Sequence, residues 1–117
     1  MSPRRAPDDS APDSFLPLPR DTFYILVSLA DRDRHGYSVM LDVAERTDGA
    51  LRLSPSSLYA AIKRLLGQGL IEETDERRRC YRLTRLGRQV AVAEARRLER
   101  LLSDARATGL LPDKGRS

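Results

Sequence analysis

The chain has 117 residues, a formal net charge of +4, 32% charged residues and 5% aromatic ones. That length suits one domain, and the basic balance favours an anionic partner, nucleic acid before a membrane surface. A single cysteine, Cys80, excludes an intrachain disulfide and a cysteine-cluster zinc site.

No stretch nears the ~18 apolar residues that span a bilayer. The polar, proline-rich start M-S-P-R-R-A-P-D-D-S has no apolar signal core. The expected compartment is therefore the cytoplasm, with no membrane partner. Charge is unevenly placed: nine arginines lie between Arg77 and Arg100, against Glu94 and Glu99.

Residues 1–17 hold four of the seven prolines together with Ser and Asp. They bury too little apolar surface to offset ordering entropy, which predicts a disordered N-terminal arm with Phe15 and Leu16 as candidates for docking at its end. A first helix is expected from Arg20 or Asp21 to about Ala30, with Pro19 helping to start it. Its inward stripe is Phe23, Leu26, Val27 and Ala30, widened by Ile25 and Leu29. Asp31-Arg32-Asp33-Arg34 reads as a charged connector.

His35-Gly36-Tyr37 opens a second helix that runs to about Thr47, with Tyr37, Met40, Leu41 and Ala44 inward and Gly49 closing it. Tyr37 is thereby assigned to the core. Ala50-Leu51-Arg52-Leu53 is too short for a helix, and its alternation fits a minor strand.

The third helix carries its own start and stop. Ser54 is a good N-cap, Pro55 suits the first helical position, and Gly69 suits a left-handed end with Leu70 folding back. Leu58, Ile62, Leu65 and Leu66 form one apolar stripe. The opposite face holds Ser56, Ser57, Tyr59, Ala60, Lys63 and Arg64, which are small, hydroxylic or basic, with no acid among them. Such a face fits phosphates and base edges. Tyr59 follows Leu58 and points off the stripe, favouring DNA over the core rim. Ser56 and Ser57 are either phosphate donors at a helix N-terminus or plain capping residues.

After Gly69 the period changes to two. Leu70 to Asp75 and Cys80 to Thr84 read as two strands joined by the turn Glu76-Arg77-Arg78-Arg79, with Tyr81 and Leu83 on one face. Arg77, Arg78 and Arg79 are either a phosphate-gripping tip or a solvated turn, and their place after the third helix favours the tip. Thr84 caps a last helix of about 24 residues and roughly 36 Å, ending near Thr108-Gly109. Ala91, Ala95, Leu98, Leu102 and Ala105 repeat with heptad spacing, flanked by Leu86, Val90 and Leu101. The rod is too long for the small body before it to cover, so this seam is expected to pack on a second copy. Leu110 to Ser117 should fray.

The predicted order is helix, helix, short strand, helix, strand, basic turn, strand, long helix. That is mainly α with a small β-hairpin, a winged helix-turn-helix plus a long C-terminal dimerisation helix. The expected divisions are an arm at 1–17, a DNA-binding domain at 18–84, a dimerisation helix at 85–108 and a flexible tail at 109–117. H-G-Y, L-S-P-S-S-L-Y-A-A-I-K-R-L, G-L-I-E and Y-R-L-T-x-x-G, in that order and at those separations, closely resemble the PadR family of transcriptional regulators over residues 20–100. The sequence departs from that pattern at Gly67 and in having no tryptophan.

The resemblance implies a homodimeric repressor on an inverted-repeat operator, in the branch with one C-terminal helix. The helix starting at Pro55 would enter the major groove of double-stranded DNA, where Tyr59, Lys63 and Arg64 would meet backbone or bases. Arg77 to Arg79 would be the wing. A small hydrophobic or aromatic effector would release the DNA.

No serine–histidine–acid set, glycine-rich phosphate loop or paired carboxylates can be assembled, so no enzyme, metal or cofactor is expected. His35, the only histidine, reads as structural, and Cys80 as a spare strand residue rather than a thiol sensor. The alternative function is a winged-helix adaptor that docks a protein and does not bind DNA specifically. The basic, aromatic-poor outer face argues against it.

Overall fold

The structure, a computed structural model, describes residues 11–75 and 79–112. Its element order is a 3-10 turn (Pro12–Phe15), α1 (Arg20–Asp31), β1 (Arg34–His35), α2 (Gly36–Arg46), α3 (Pro55–Gly67), β2 (Ile71–Asp75), β3 (Cys80–Leu83) and α4 (Arg85–Ala107). The three strands form one antiparallel sheet in the order β1-β3-β2. This is a mainly helical winged-helix arrangement with a small sheet, the fold class expected from the sequence.

The core is a contact between four helices and the sheet. Ile25, Leu26 and Leu29 of α1 meet Val39 and Val43 of α2, Leu58, Ile62 and Leu65 of α3, Leu70, Ile71 and Tyr81 around the sheet, and Val90 of α4. Burying each such aliphatic side chain contributes about 1.5–3 kcal/mol.

The start of α3 lies where its local signals put it. The Ser54 hydroxyl accepts from the Ser57 amide at 3.1 Å, with Pro55 at the first turn. Its end is a paired-amide stop: Gly69 (φ +77°) donates to Leu66 at 3.1 Å and Leu70 donates to Leu65 at 3.0 Å.

The inward faces of three helices are rotated from the expected ones. On α1, Ala30 is exposed, Phe23 and Val27 are half-buried, and Thr22 and Ser28 are buried beside Ile25, Leu26 and Leu29. On α2, Tyr37 is 62% and Leu41 54% exposed, so Tyr37 is not a core residue; Gly36, Val39 and Val43 face inward instead. On α3, Leu66 stands at the surface and Ala61 takes its place inside. The reason is common to all three. Apolar residues cover more than half of each helix, so periodicity identifies a face without fixing its centre.

The minor strand expected at Ala50–Leu53 does not form. The hydroxyl of Thr47 accepts from the Leu51 amide at 3.0 Å, and Leu51 and Leu53 pack on the core as irregular chain. Arg34 and His35 supply the third strand, opposite Tyr81 and Cys80. The outer edge of β3 thus takes the two residues that lead into α2.

The arm expected to be disordered through residue 17 is docked from Ala11 onward. Pro12–Phe15 packs on α4, and Phe15, Leu16 and Leu18 reach the core. Its apolar residues are few, but α4 offers a long surface that receives them. Likewise the start of the expected tail is held: Leu110 donates to Ala105 at 2.9 Å around Gly109 (φ +87°), and Arg106 donates to the Pro112 carbonyl at 3.1 Å.

Candidate nucleic-acid interface

Packing of Leu58, Ala61, Ile62 and Leu65 against the body leaves the other side of α3 at the surface. Ser56, Ser57, Tyr59, Ala60, Lys63 and Arg64 are all exposed there. The fold therefore brings all six expected α3 residues to one accessible face. They differ in freedom. Ser56 Oγ lies 3.4 Å from the capping Ser54 Oγ. Arg64 Nη2 donates to the hydroxyl of Thr22 on α1 at 3.1 Å, so this guanidinium ties the helix to its own body.

Tyr59 is 41% exposed, and its ring lies over Gly36, the first residue of α2. A Cβ built on Gly36 would stand 2.7 Å from Tyr59 Oη. Tyr37, the next residue, is also at the surface. The N-terminus of α2 and the first half of α3 thus share one edge of the molecule.

The wing is a hairpin with Ile71, Glu72 and Glu73 opposite Leu83, Arg82 and Tyr81 and an irregular step before Asp75–Cys80. Glu72 and Arg82 pair across it at 2.8 Å. Both are about half exposed, so the pair contributes less than about 1 kcal/mol. Arg79 is exposed with φ +56°. Arg77 and Arg78 lie outside the described residues.

Two polar clusters escaped the sequence reading. Arg34, read as part of a bare connector, donates from Nε to the Ser28 carbonyl at 3.1 Å and pairs with Asp31 at 2.8 Å and Asp42 at 3.3 Å. Arg46 binds Asp42 at 2.6 Å and Asp31 at 3.2 Å. Burial pushes the Asp42 carboxyl upward, but the Arg46 hydrogen bond and the charges of Arg34 and Arg46 outweigh it and hold the group below the usual carboxylate range. The spacing of Asp42 and Arg46 was a local signal; the convergence of Asp31 and Arg34 on them was not. The second cluster is Glu94, buried inside α4 and bonded to Arg97 and the Leu18 amide.

Of the seam residues on α4, Ala91 is half-buried and packs against the chain's own core. Leu98, Leu101 and Leu102 are 38%, 52% and 42% exposed, Ala95 is exposed and Ala105 is half-buried. Phe23 with Val92, Ala95, Leu98 and Leu102 lines an open groove of about 540 Å³ along this face.

Among the described residues, no helix is long and apolar enough to cross a membrane, and no three acidic, histidine or cysteine side chains cluster as a metal site would require.

A family profile, the transcriptional regulator PadR-like family, matches residues 25–93, more than half of the chain. A 37.1 kDa transposon protein of Streptomyces fradiae is 38% identical over 79 residues, 66% of this chain and 22% of its own length. A Lysinibacillus sphaericus protein is 30% identical over 70 residues, 55% of this chain and 64% of its own. The chain therefore spans less than two thirds of either relative. A transcriptional regulator from Clostridium thermocellum of known structure superposes with a TM-score of 0.62 at 28% identity, covering 78% of this chain and 89% of its own.

Proposed function

The chain belongs to the PadR-like transcriptional regulator family, and we propose that it is a homodimeric repressor that binds an inverted-repeat DNA operator in the cytoplasm. The observation that carries this reading is the division of α3 into a buried apolar stripe and an exposed face of hydroxyls and cations. In the proposed complex that face enters the major groove. Ser56, Ser57, Ala60 and Lys63 approach base edges and phosphates, Tyr59 and Arg64 hold the rim, and the cations Arg77 to Arg79 meet phosphates.

Affinity then comes chiefly from cations on phosphates, and specificity from the side chains that reach base edges. Two copies joined along the outer face of α4, through Ala95, Leu98, Leu101, Leu102 and Ala105, would present two copies of α3 about one helical turn of DNA apart. The groove between Phe23 and α4 suits a small hydrophobic or aromatic effector that alters the angle between the two bodies.

The decisive experiment is selection of duplex DNA by the purified protein from a random pool, followed by titration of the selected and an unrelated duplex at low and moderate salt. The expected result is a defined two-fold sequence, a steep salt slope for both duplexes, and loss of affinity in Lys63→Ala. No enriched sequence and a flat slope would replace this reading with the protein-docking adaptor.

A further inference from the structure

The motif H-G-Y has no part in the binding scheme above, yet Gly36 stands at the edge of the proposed DNA surface. Gly36 is buried at the first turn of α2. Its φ is not positive, so the backbone there accepts any L residue. What excludes a side chain is Tyr59. A Cβ on Gly36 would lie 2.7 Å from Tyr59 Oη, 2.9 Å from Cε1 and 3.0 Å from Cζ. The glycine is a flat seat for a ring that comes from the next helix.

We propose that Gly36 is a positioning residue for DNA binding: its bare Cα seats the Tyr59 ring so that the phenol meets a DNA phosphate beside the N-terminus of α2, not a base. The proposal rests on the DNA-binding reading of α3. Tyr59 lies on the exposed side of that helix, but its ring leans towards α2. In a helix-turn-helix the helix before the recognition helix crosses the phosphate backbone, while base edges are reached from the groove-facing side of the recognition helix. A hydroxyl parked on the first residue of α2 is therefore placed for the backbone. The positive end of the α2 dipole favours the same anion.

The chemistry of the seat makes it separable from stability. All three contacted atoms belong to the far end of a rotatable side chain, so an added methyl turns the ring aside without moving backbone. Alanine is also the better helix former. Gly36→Ala should keep the fold and misdirect the phenol.

The test uses the full chain, the selected operator duplex and an unrelated duplex, with Gly36→Ala, Tyr59→Phe, Tyr59→Ala and the double variant Gly36→Ala/Tyr59→Ala. Gly36→Ala and Tyr59→Phe should each weaken both duplexes by the same factor, about tenfold, the worth of one hydrogen bond to a charged group. The melting temperature of Gly36→Ala should be no lower than that of the parent. The double variant should bind no more weakly than Tyr59→Ala alone.

The proposal is overturned if Gly36→Ala costs as much in the Tyr59→Ala background as in the parent. It is equally overturned if Tyr59→Phe binds like the parent, or if either variant changes only operator preference. Failure of the parent protein to bind any duplex is a different result: it removes the DNA-binding reading itself, and this inference with it.

Discussion

Glu94 and Arg97, one turn apart on α4, are joined by two hydrogen bonds, Nε to Oε1 at 3.0 Å and Nη2 to Oε2 at 2.8 Å. Glu94 is 2% exposed, and its Oε1 also accepts from the Leu18 amide at 3.3 Å. One buried carboxylate thus fastens the chain just ahead of α1 to the middle of the long helix. The Arg97 hydrogen bonds hold its pKa below the ordinary glutamate value against the opposing effect of burial, with help from the Leu18 amide.

A depressed carboxylate pKa stabilises the folded state above the unfolded-state value, and that contribution is lost as pH falls through the folded-state value. Stability should therefore decline below the ordinary carboxylate range, and Glu94→Gln should flatten the decline. Glu94→Ala, which leaves the Leu18 amide without its acceptor, should cost about 1–3 kcal/mol at neutral pH. Urea unfolding at several pH values checks both. An unchanged acid slope in Glu94→Gln would assign the acid sensitivity to other carboxylates, with Asp42 first among them.

Two glycines should respond oppositely to alanine. A Cβ on Gly87 would lie 1.9 Å from the Leu70 carbonyl oxygen, a backbone atom in the chain crossing from α3 to β2, so Gly87→Ala should destabilise by about 3 kcal/mol. Gly67, in the last turn of α3, has open space at that point, with nothing beyond its own helix backbone and chain neighbours within 4 Å. Gly67→Ala should stabilise by about 0.5–1 kcal/mol, the helix preference of alanine over glycine. Thermal unfolding of the two variants side by side reads the difference in sign.

Thr84 joins three elements through one hydroxyl. It donates to the Gly69 carbonyl at 2.6 Å and accepts from the Gly87 amide at 3.0 Å, capping α4. Thr84→Val keeps the shape and removes both bonds. It should cost about 1–2 kcal/mol. A loss within error of zero in chemical denaturation would show that water replaces the hydroxyl at no cost.

The outer face of α4 gives a test of assembly. Leu98 is exposed at the groove beside Phe23 and is not one of the buried core residues. Leu98→Glu should yield folded monomers in sedimentation velocity at concentrations where the parent chain is dimeric. A dimer that persists in the variant would place the contact elsewhere.

Much of the local architecture was readable from residues because its causes are local. Ser54, Pro55 and Gly69 act within one turn of their own helix, so the limits of α3 followed from their chemistry alone. Thr84 likewise marked the start of α4. The exposed residues of the candidate site on α3 followed from the stripe opposite them, and even Leu66 was misplaced only because Leu65 beside it is equally apolar.

Apolar spacing and capping residues by themselves determined the four helices, the hairpin of β2 and β3, and the side of α3 that stays polar, since each depends on near neighbours, whereas the third strand formed at Arg34–His35 and not at 50–53. The tertiary structure alone decided that Tyr37 faces out, that Arg34 is locked by Asp31 and Asp42, that Glu94 is buried, and that Gly36 lies under Tyr59. Those relations depend on which elements pack together. A buried charge or a bare Cα takes its meaning from the atoms packed against it, and only the folded chain supplies them.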